Sequence, residues 1–222
     1  RDSRGRVVSQ SRDVGEPRRD LLSPQHYFQP HDQVIRGLRL RSAHLITGRG
    51  CTHRCKFCAG PSCFGRGVRF HSTERVLAEI GALVTDHRIE GIYIADDVFL
   101  AKDARAAALC EALIRAGMHK RIRWCCQLRV NGLRMDTLKL LRHAGCVQVE
   151  FGIESGSQYV LDLMRKRATV DENREALLLA RRAGLRVLAN IIVGYPGERR
   201  EDLAQTRALL EAARPDVISV NR

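Results

Sequence analysis

The 222 residues predict an α/β fold in which parallel strands are wound by outer helices. Three observations carry that prediction. Strand-like and helix-like segments alternate along most of the chain, the strands are largely apolar, and polar residues gather just beyond strand ends. Apolar strands followed by amphipathic helices are expected where a parallel sheet is buried on both faces. An open or partial barrel and a doubly wound sheet both satisfy this pattern.

The elements follow in order. His44–Gly48 reads as a short strand ending in glycine. Ser72 is placed to cap a helix whose apolar positions Val76, Leu77, Ile80, Leu83 and Val84 keep the helical period. Strand 91–95 precedes an alanine-rich helix from Asp103 to Gly117, and strand 122–128 precedes a helix capped by Asp136 that ends near Gly145. Strand 147–153 leads to a short helix from Gln158 and a longer one from Asp171 to Gly184. Strand 187–193 precedes a helix from Arg200 to Ala213, and 216–220 reads as a sixth strand. Residues 11–43 hold Pro17, Pro24 and Pro30 among many charges and read as a linker or surface wrap, and Gly5–Gln10 resembles half of a hairpin. We expect residues 1–40 to be the tail of an upstream domain and 41–222 the core, cut after its sixth strand.

Composition narrows the classes. With 44% hydrophobic and 28% charged residues the chain is neither a disordered tail nor a membrane protein. No apolar run approaches the roughly 20 residues of a membrane span, and the first ten residues alternate charge and polarity and contain no apolar stretch of the signal-peptide kind. A cytoplasmic location is expected. The net charge of +13 raises nucleic acid as a partner, but the basic residues are scattered and aromatics are only 5%, which favours a solvated surface.

Eight cysteines without an export signal suggest metal or catalysis before disulfides. Cys51, Cys55 and Cys58 share one octapeptide. Cys110 and Cys146 read as small buried hydrophobes. Chemistry in wound sheets gathers at the carboxyl ends of strands. Those ends hold the cysteine octapeptide, Asp96 and Asp97, Gln127 and Arg129, Glu154-Ser-Gly-Ser157, and Asn190 running into Gly194-Tyr-Pro-Gly-Glu198. Three thiolates, with His53 or Cys63 as a fourth ligand, could close a structural zinc site. Alternatively, three could hold a 4Fe–4S cube with one iron left open.

Cys51, Cys55, Phe57 and Cys58 match the Cys-x3-Cys-x-aromatic-Cys loop that follows the first strand of the radical S-adenosylmethionine (radical SAM) enzymes, and the chain resembles that family from about residue 40 to its end. The resemblance implies a partial (β/α)6 TIM-like barrel. It implies that Cys51, Cys55 and Cys58 bind a 4Fe–4S cluster whose open iron chelates S-adenosylmethionine, and that one electron then yields methionine and a 5′-deoxyadenosyl radical. An electron donor of the flavodoxin or ferredoxin type is implied with it. By position, Asp96 or Asp97 replaces the carboxylate that holds the methionine ammonium, although either could cap the next helix. Glu154, with Ser155 beside it, takes the ribose position of strand four, and Asn190 that of strand five. Lys166 takes the position paired with the methionine carboxylate, its alternative being a surface lysine. Gln127 and Arg129 line the site at strand three. Asn190 to Gly194, with Ile192 between, resembles the segment lying against adenine, where Gly194 permits close approach. Ile218 is placed to complete that pocket, and Glu198 to cap the following helix.

Asp96-Asp97, the Gly152–Ser155 turn and the Gly-Tyr-Pro-Gly-Glu run resemble the cobalamin-associated branch, whose members carry out methyl transfers or cyclisations on small molecules. That resemblance implies cobalamin in the full-length protein. These residues themselves contain no Asp-x-His-x-x-Gly and are not expected to bind it. Cys63 reads as a bystander thiol. A tRNA- or protein-modifying radical SAM enzyme, such as a methylthiotransferase, and a non-enzymatic zinc module are the alternatives.

Overall fold

A computed structural model describes residues 19–21, 23, 27–64, 67–100 and 103–222. The half-hairpin expected at 5–10, Pro17 and Pro24 lie outside the described residues. Seven strands form one sheet in the order β1 (Pro30–His31), β2 (Leu40–Leu45), β5 (Gly91–Ile94), β6 (Arg123–Leu128), β7 (Cys146–Glu154), β8 (Arg186–Ile192) and β9 (Val217–Asn221). Only the short β1 runs antiparallel; the other six strands of this sheet pair in parallel, in sequence order, as a curled half-barrel. A two-stranded ribbon, β3 (Gly48–Arg49) with β4 (Arg69–Phe70), brackets the cysteine loop.

The first parallel strand begins four residues earlier than expected and ends at Leu45. It aligns Ser42 with Gly91 through Leu45 with Ile94, and beyond that Asp96 draws the backbone away. The other strands fall within a residue or two of their expected places.

Alternation within the strands explains the architecture. Ala43, Leu45, Ile92, Ile94, Trp124, Cys126, Leu128, Val149, Phe151, Ile153, Val187, Ala189 and Ile191 belong to one core cluster, shared with the helices. The intervening residues, among them His44, Tyr93, Gln127, Glu150 and Asn190, take the other face. Helices therefore cover the convex face, while the concave face mixes polar residues with Leu40, Cys125, Val147 and Leu188. This corrects the expectation of strands buried equally on both sides.

The outer layer comprises α1 (Gly60–Phe64), α2 (Thr73–His87), α3 (Asp103–Arg115), α4 (Met118–Arg121), α5 (Met135–His143), α6 (Gln158–Leu163), α7 (Val170–Arg182) and α8 (Arg200–Ala213). Ser72 Oγ accepts the Arg75 N–H, which caps α2 as its sequence signalled, and α2 buries Val76, Ile80, Leu83 and Val84. Thr169 and Glu172 close a reciprocal capping box on α7. Asp136 lies in the first turn of α5 while Arg134 takes the cap position, so its carboxylate meets the helix dipole instead of closing the cap. Trp124, fully buried, donates its indole N–H to Ala144 O at 2.9 Å. Cys110 and Cys146 are buried, as are Cys125 and Cys126.

Residues 32–39 cross the amino-terminal mouth of the barrel. Val34 and Ile35 are buried there with Cys125, against partly buried Tyr93 and Val147. The Arg186 guanidinium donates to Arg36 O and fastens this plug to β8.

Candidate active site

The cysteine loop is built on a carboxylate. Asp96, 2% exposed, accepts Thr47 N–H at 2.6 Å and Gly48 N–H at 2.8 Å on Oδ1, and the Thr47 hydroxyl at 2.5 Å on Oδ2. Burial pushes this carboxyl upward, and those three donors with Arg105 pull it back. The Arg105 guanidinium lies 3.6 Å from Asp96 Oδ2, donates to Thr47 O and rests over the Phe70 ring. Asp97 Oδ2 accepts Gly50 N–H at 2.7 Å. Gly50 has φ +95°, and a Cβ there would lie 2.1 Å from Gly67 O, so only glycine lets the loop leave the ribbon. Further on, Lys56 N–H donates to Met164 O at 2.9 Å and ties the loop to the end of α6.

Each sulfur of the Cys-x3-Cys-x-x-Cys loop accepts one N–H. Cys51 Sγ takes His53 N–H at 3.5 Å, Cys58 Sγ takes Gly60 N–H at 3.3 Å, and Cys55 Sγ takes Arg129 Nη1 at 3.8 Å. Such donors stabilise thiolate over thiol. Burial raises the Cys51 thiol, while the His53 N–H and the Arg129 charge lower it. A Cβ on Gly60 would stand 3.2 Å from Cys58 Sγ and 3.7 Å from Asp97 Oδ1, so the glycine leaves a cradle beside that sulfur. Among the described residues no three His, Cys, Asp or Glu side chains converge on one point. The three sulfurs share one loop. A donor set of three accessible thiols with N–H partners and free space beside one of them fits a cluster held by this loop.

Directly across from this loop, β7 ends in a bulge. The pairing with β8 shifts between Gly152 and Glu154, and Glu154 has φ +63°. The bulge aims the Glu154 carboxylate at Lys166, whose Nζ lies 2.8 Å from Oε1; both side chains are under 10% exposed. Lys166 is flanked by Arg165 and Arg167, both left-handed at φ +50° and +53°. Three non-glycine residues in that region each store about 1–2 kcal/mol of strain, which the fold must offset. The restraints are visible. Arg129 Nη2 donates to Lys166 O at 2.7 Å, and the Lys166 ammonium sits 5.6 Å from the centre of the Phe57 ring on the cysteine loop. Loop, strand end and Lys166 therefore form one site.

The remaining expected residues fall as follows. Asp96 is committed to the loop backbone, while Asp97 keeps Oδ1 toward Gly60. Ser155 is fully buried; its hydroxyl meets Thr206 at 3.2 Å and accepts Ser157 N–H, so it docks the turn on α8 and faces away from the cysteines. Gly194 has φ +78° and open space where a Cβ would be, and its N–H donates to Glu198 Oε2 at 2.6 Å. Glu198 closes that turn; the α8 cap is Arg199, with Asp202 accepting its N–H. Glu198 Oε1 and Arg129 Nε are buried without a hydrogen-bond partner. Gln127, Asn190 and Ile192 are half-buried on or near the concave face. Ile218 is 47% exposed, and it is its neighbour Ser219 that lines the concavity. Sequence reasoning missed Arg105 and Thr206. A helical arginine and threonine carry no local signal of the strand end each will secure.

The pattern of the Radical SAM superfamily matches residues 45–210, and the chain belongs to that superfamily of enzymes. It is 34% identical over 162 residues to an uncharacterized methyltransferase of Pyrococcus horikoshii, covering 73% of this chain and 35% of the relative. It is 33% identical to an anaerobic magnesium-protoporphyrin IX monomethyl ester cyclase of Cereibacter sphaeroides, covering 83% of this chain and 30% of the relative. The fold is shared with the radical S-adenosylmethionine methyltransferase TsrM from Kitasatospora setae at TM-score 0.74 and 21% identity, over 81% of this chain and 35% of that one. It is also shared with the cobalamin-dependent S-adenosylmethionine radical enzyme OxsB at TM-score 0.66 and 24% identity, over 76% of this chain and 26% of that one. These likenesses lie among cobalamin-associated members of the superfamily. The chain spans about a third of the length of the curated relatives it matches. Membership sets aside the non-enzymatic zinc module. Among the described residues no helix is long and apolar enough to cross a membrane.

Proposed function

We propose that residues 41–222 form the S-adenosylmethionine-cleaving core of a longer enzyme of the cobalamin-dependent methyltransferase or cyclase type, acting on a small molecule. Cys51, Cys55 and Cys58 would hold a 4Fe–4S cluster, which supplies one electron to the sulfonium of S-adenosylmethionine once an external donor of the flavodoxin or ferredoxin type has reduced it. The observation that carries this reading is one loop bearing three N–H-bonded cysteine sulfurs, tied through Arg129 and Phe57 to the strained Glu154–Lys166 pair.

Each residue has a part in it. Arg129 holds Cys55 and the backbone of Lys166 in fixed relation. Lys166 offers a cation for a carboxylate, and Glu154 offers two acceptor oxygens for vicinal hydroxyls, so opening their mutual pair would accommodate both ends of an amino acid nucleoside. Asp97 is the carboxylate left to accept from an ammonium. The Gly194 turn, with its unpartnered Glu198 oxygen, suits a purine carrying an exocyclic amine.

Anaerobic purification tests the proposal. A brown protein with about four irons per chain is expected, and it should release 5′-deoxyadenosine from S-adenosylmethionine under dithionite. Cys55→Ala should lose both. Nucleoside release by that variant, or stoichiometric zinc after anaerobic iron and sulfide reconstitution, would overturn the assignment.

A further inference from the structure

We infer that the lumen of the half-barrel, between the 32–39 plug and the strand ends, is a binding site for an organic ammonium group with Glu150 as its counter-charge. The inference deepens the proposed function by naming the chemistry of the small molecule, and it rests on that reading only for what happens to the ligand after it binds.

A cavity of about 200 Å³ occupies this region. His44 and Tyr93 wall it from β2 and β5, Asn190 and Ser219 from β8 and β9, and Glu150 of β7 stands between. Glu150 holds only long contacts to neutral donors: the Tyr93 hydroxyl at 3.3 Å on Oε2 and the Gln148 amide at 3.3 Å on Oε1. Among the described residues no cation lies within ion-pairing distance of it. Gln148 is fully buried beside it, and its Oε1 has no partner. A half-buried carboxylate without a cation and a buried carbonyl without a donor are both unfavourable, and both call for the same thing, a group rich in N–H that carries positive charge.

The other walls agree with this choice. Burial raises the Glu150 carboxyl, and Tyr93, Gln148 and the more distant Arg36 partly offset that rise. Burial, with His31 nearby, lowers His44, which faces the cavity as a neutral imidazole near pH 7 and adds an acceptor without adding charge. Arg36, exposed on the plug at the cavity's mouth, is the one fixed cation on the lining. The complementary ligand therefore inserts its ammonium end and keeps a neutral or anionic end outward. Glu150 lies four residues before Glu154 on the same strand, about 13 Å at the rise of an extended chain. A small molecule held here reaches from the lumen toward the cysteine loop.

The test needs neither iron nor S-adenosylmethionine. Butylammonium, butanol and butyrate are titrated against the purified chain near pH 7.5 by saturation-transfer NMR. Saturable binding of butylammonium is expected, with much weaker binding of the other two. Glu150→Gln should weaken it at least ~10-fold and Glu150→Asp by less, whereas exposed Glu175→Gln should leave it unchanged. Each variant's fold is checked by circular dichroism. Equal affinity in Glu150→Gln, butyrate binding as well as butylammonium, or no saturable binding overturns the inference. A negative result leaves the cluster reading intact, and a chain that takes up no cluster leaves this result to stand by itself.

Discussion

Gly152 is the position where one added carbon should do the most damage for its size. A Cβ there would lie 2.3 Å from Glu154 Oε1, 2.7 Å from Lys166 Nζ and 3.3 Å from Glu154 Cδ, inside the hydrogen bond that joins the buried pair. The backbone conformation at Gly152 is open to any residue, so Gly152→Ala is a purely steric perturbation. Overpacking alone costs about 1–3 kcal/mol, and separating a buried ion pair about 3–5 kcal/mol. Both touching atoms are ends of flexible side chains, which allows partial relief, so we expect a loss of about 3 kcal/mol. With a urea m-value of about 3 kcal/mol/M, the midpoint falls by about 1 M. A double-mutant cycle isolates the cause. In a Glu154→Ala, Lys166→Met background the same substitution should cost under ~1 kcal/mol, because nothing remains for the methyl to divide. A loss below ~0.5 kcal/mol in the native chain, or equal losses in both backgrounds, would refute the steric account.

Other outcomes follow from the same structure. Thr206→Val removes the acceptor of Gly156 N–H and the partner of Ser155, so it should cost about 2 kcal/mol in urea unfolding while iron content stays unchanged. Arg129→Met removes the N–H from Cys55 Sγ, and an EPR-monitored redox titration should find the cluster potential more negative, since hydrogen bonds to sulfur favour the reduced, more anionic state. His44 has a lowered pKa in the fold, so the unfolded chain binds its proton first as pH falls. Its contribution to stability is full above about pH 6.5 and is lost as pH falls through the lowered value. His44→Gln should therefore flatten that part of the stability–pH curve, His53 and His71 sustaining the remaining slope. An unchanged slope would place the acid sensitivity elsewhere.

Much of the architecture was legible because its signals are local. Apolar runs, a serine cap and glycine stops locate strands and helices within a few residues, and the cysteine spacing is what points to the candidate site. What stayed hidden depends on partners far along the chain. Asp96 and Asp97 look equivalent in sequence, yet one is consumed by backbone N–H groups 48 and 49 residues earlier, and the other is held to Gly50 by a single oxygen. Ser155 adjoins Glu154 but its hydroxyl is taken by Thr206, 51 residues further on, a partner no local pattern announces. Reading the strands as buried on both faces also concealed their period of two. His44, Tyr93, Glu150 and Asn190 are outnumbered by apolar neighbours and register as a motif only when the sheet curls.

That curl couples the two halves of the site. The convex residues of β7, Val149, Phe151 and Ile153, are fixed in the core under the helices, which leaves the strand no freedom to slip. A one-residue slip would exchange the polar and apolar faces, so packing on one side dictates polarity on the other. At the end of the strand Glu154 keeps the face of Glu150 and Gly152, and the bulge with its positive φ sets the carboxylate onto Lys166. Three left-handed residues and a buried ion pair are then held beside the cysteine loop by Arg129, Phe57 and the Lys56–Met164 backbone bond. The strained backbone thus lies at and beside the two residues proposed to meet the ligand's hydroxyls and carboxylate, and packing along one strand of the barrel fixes it there.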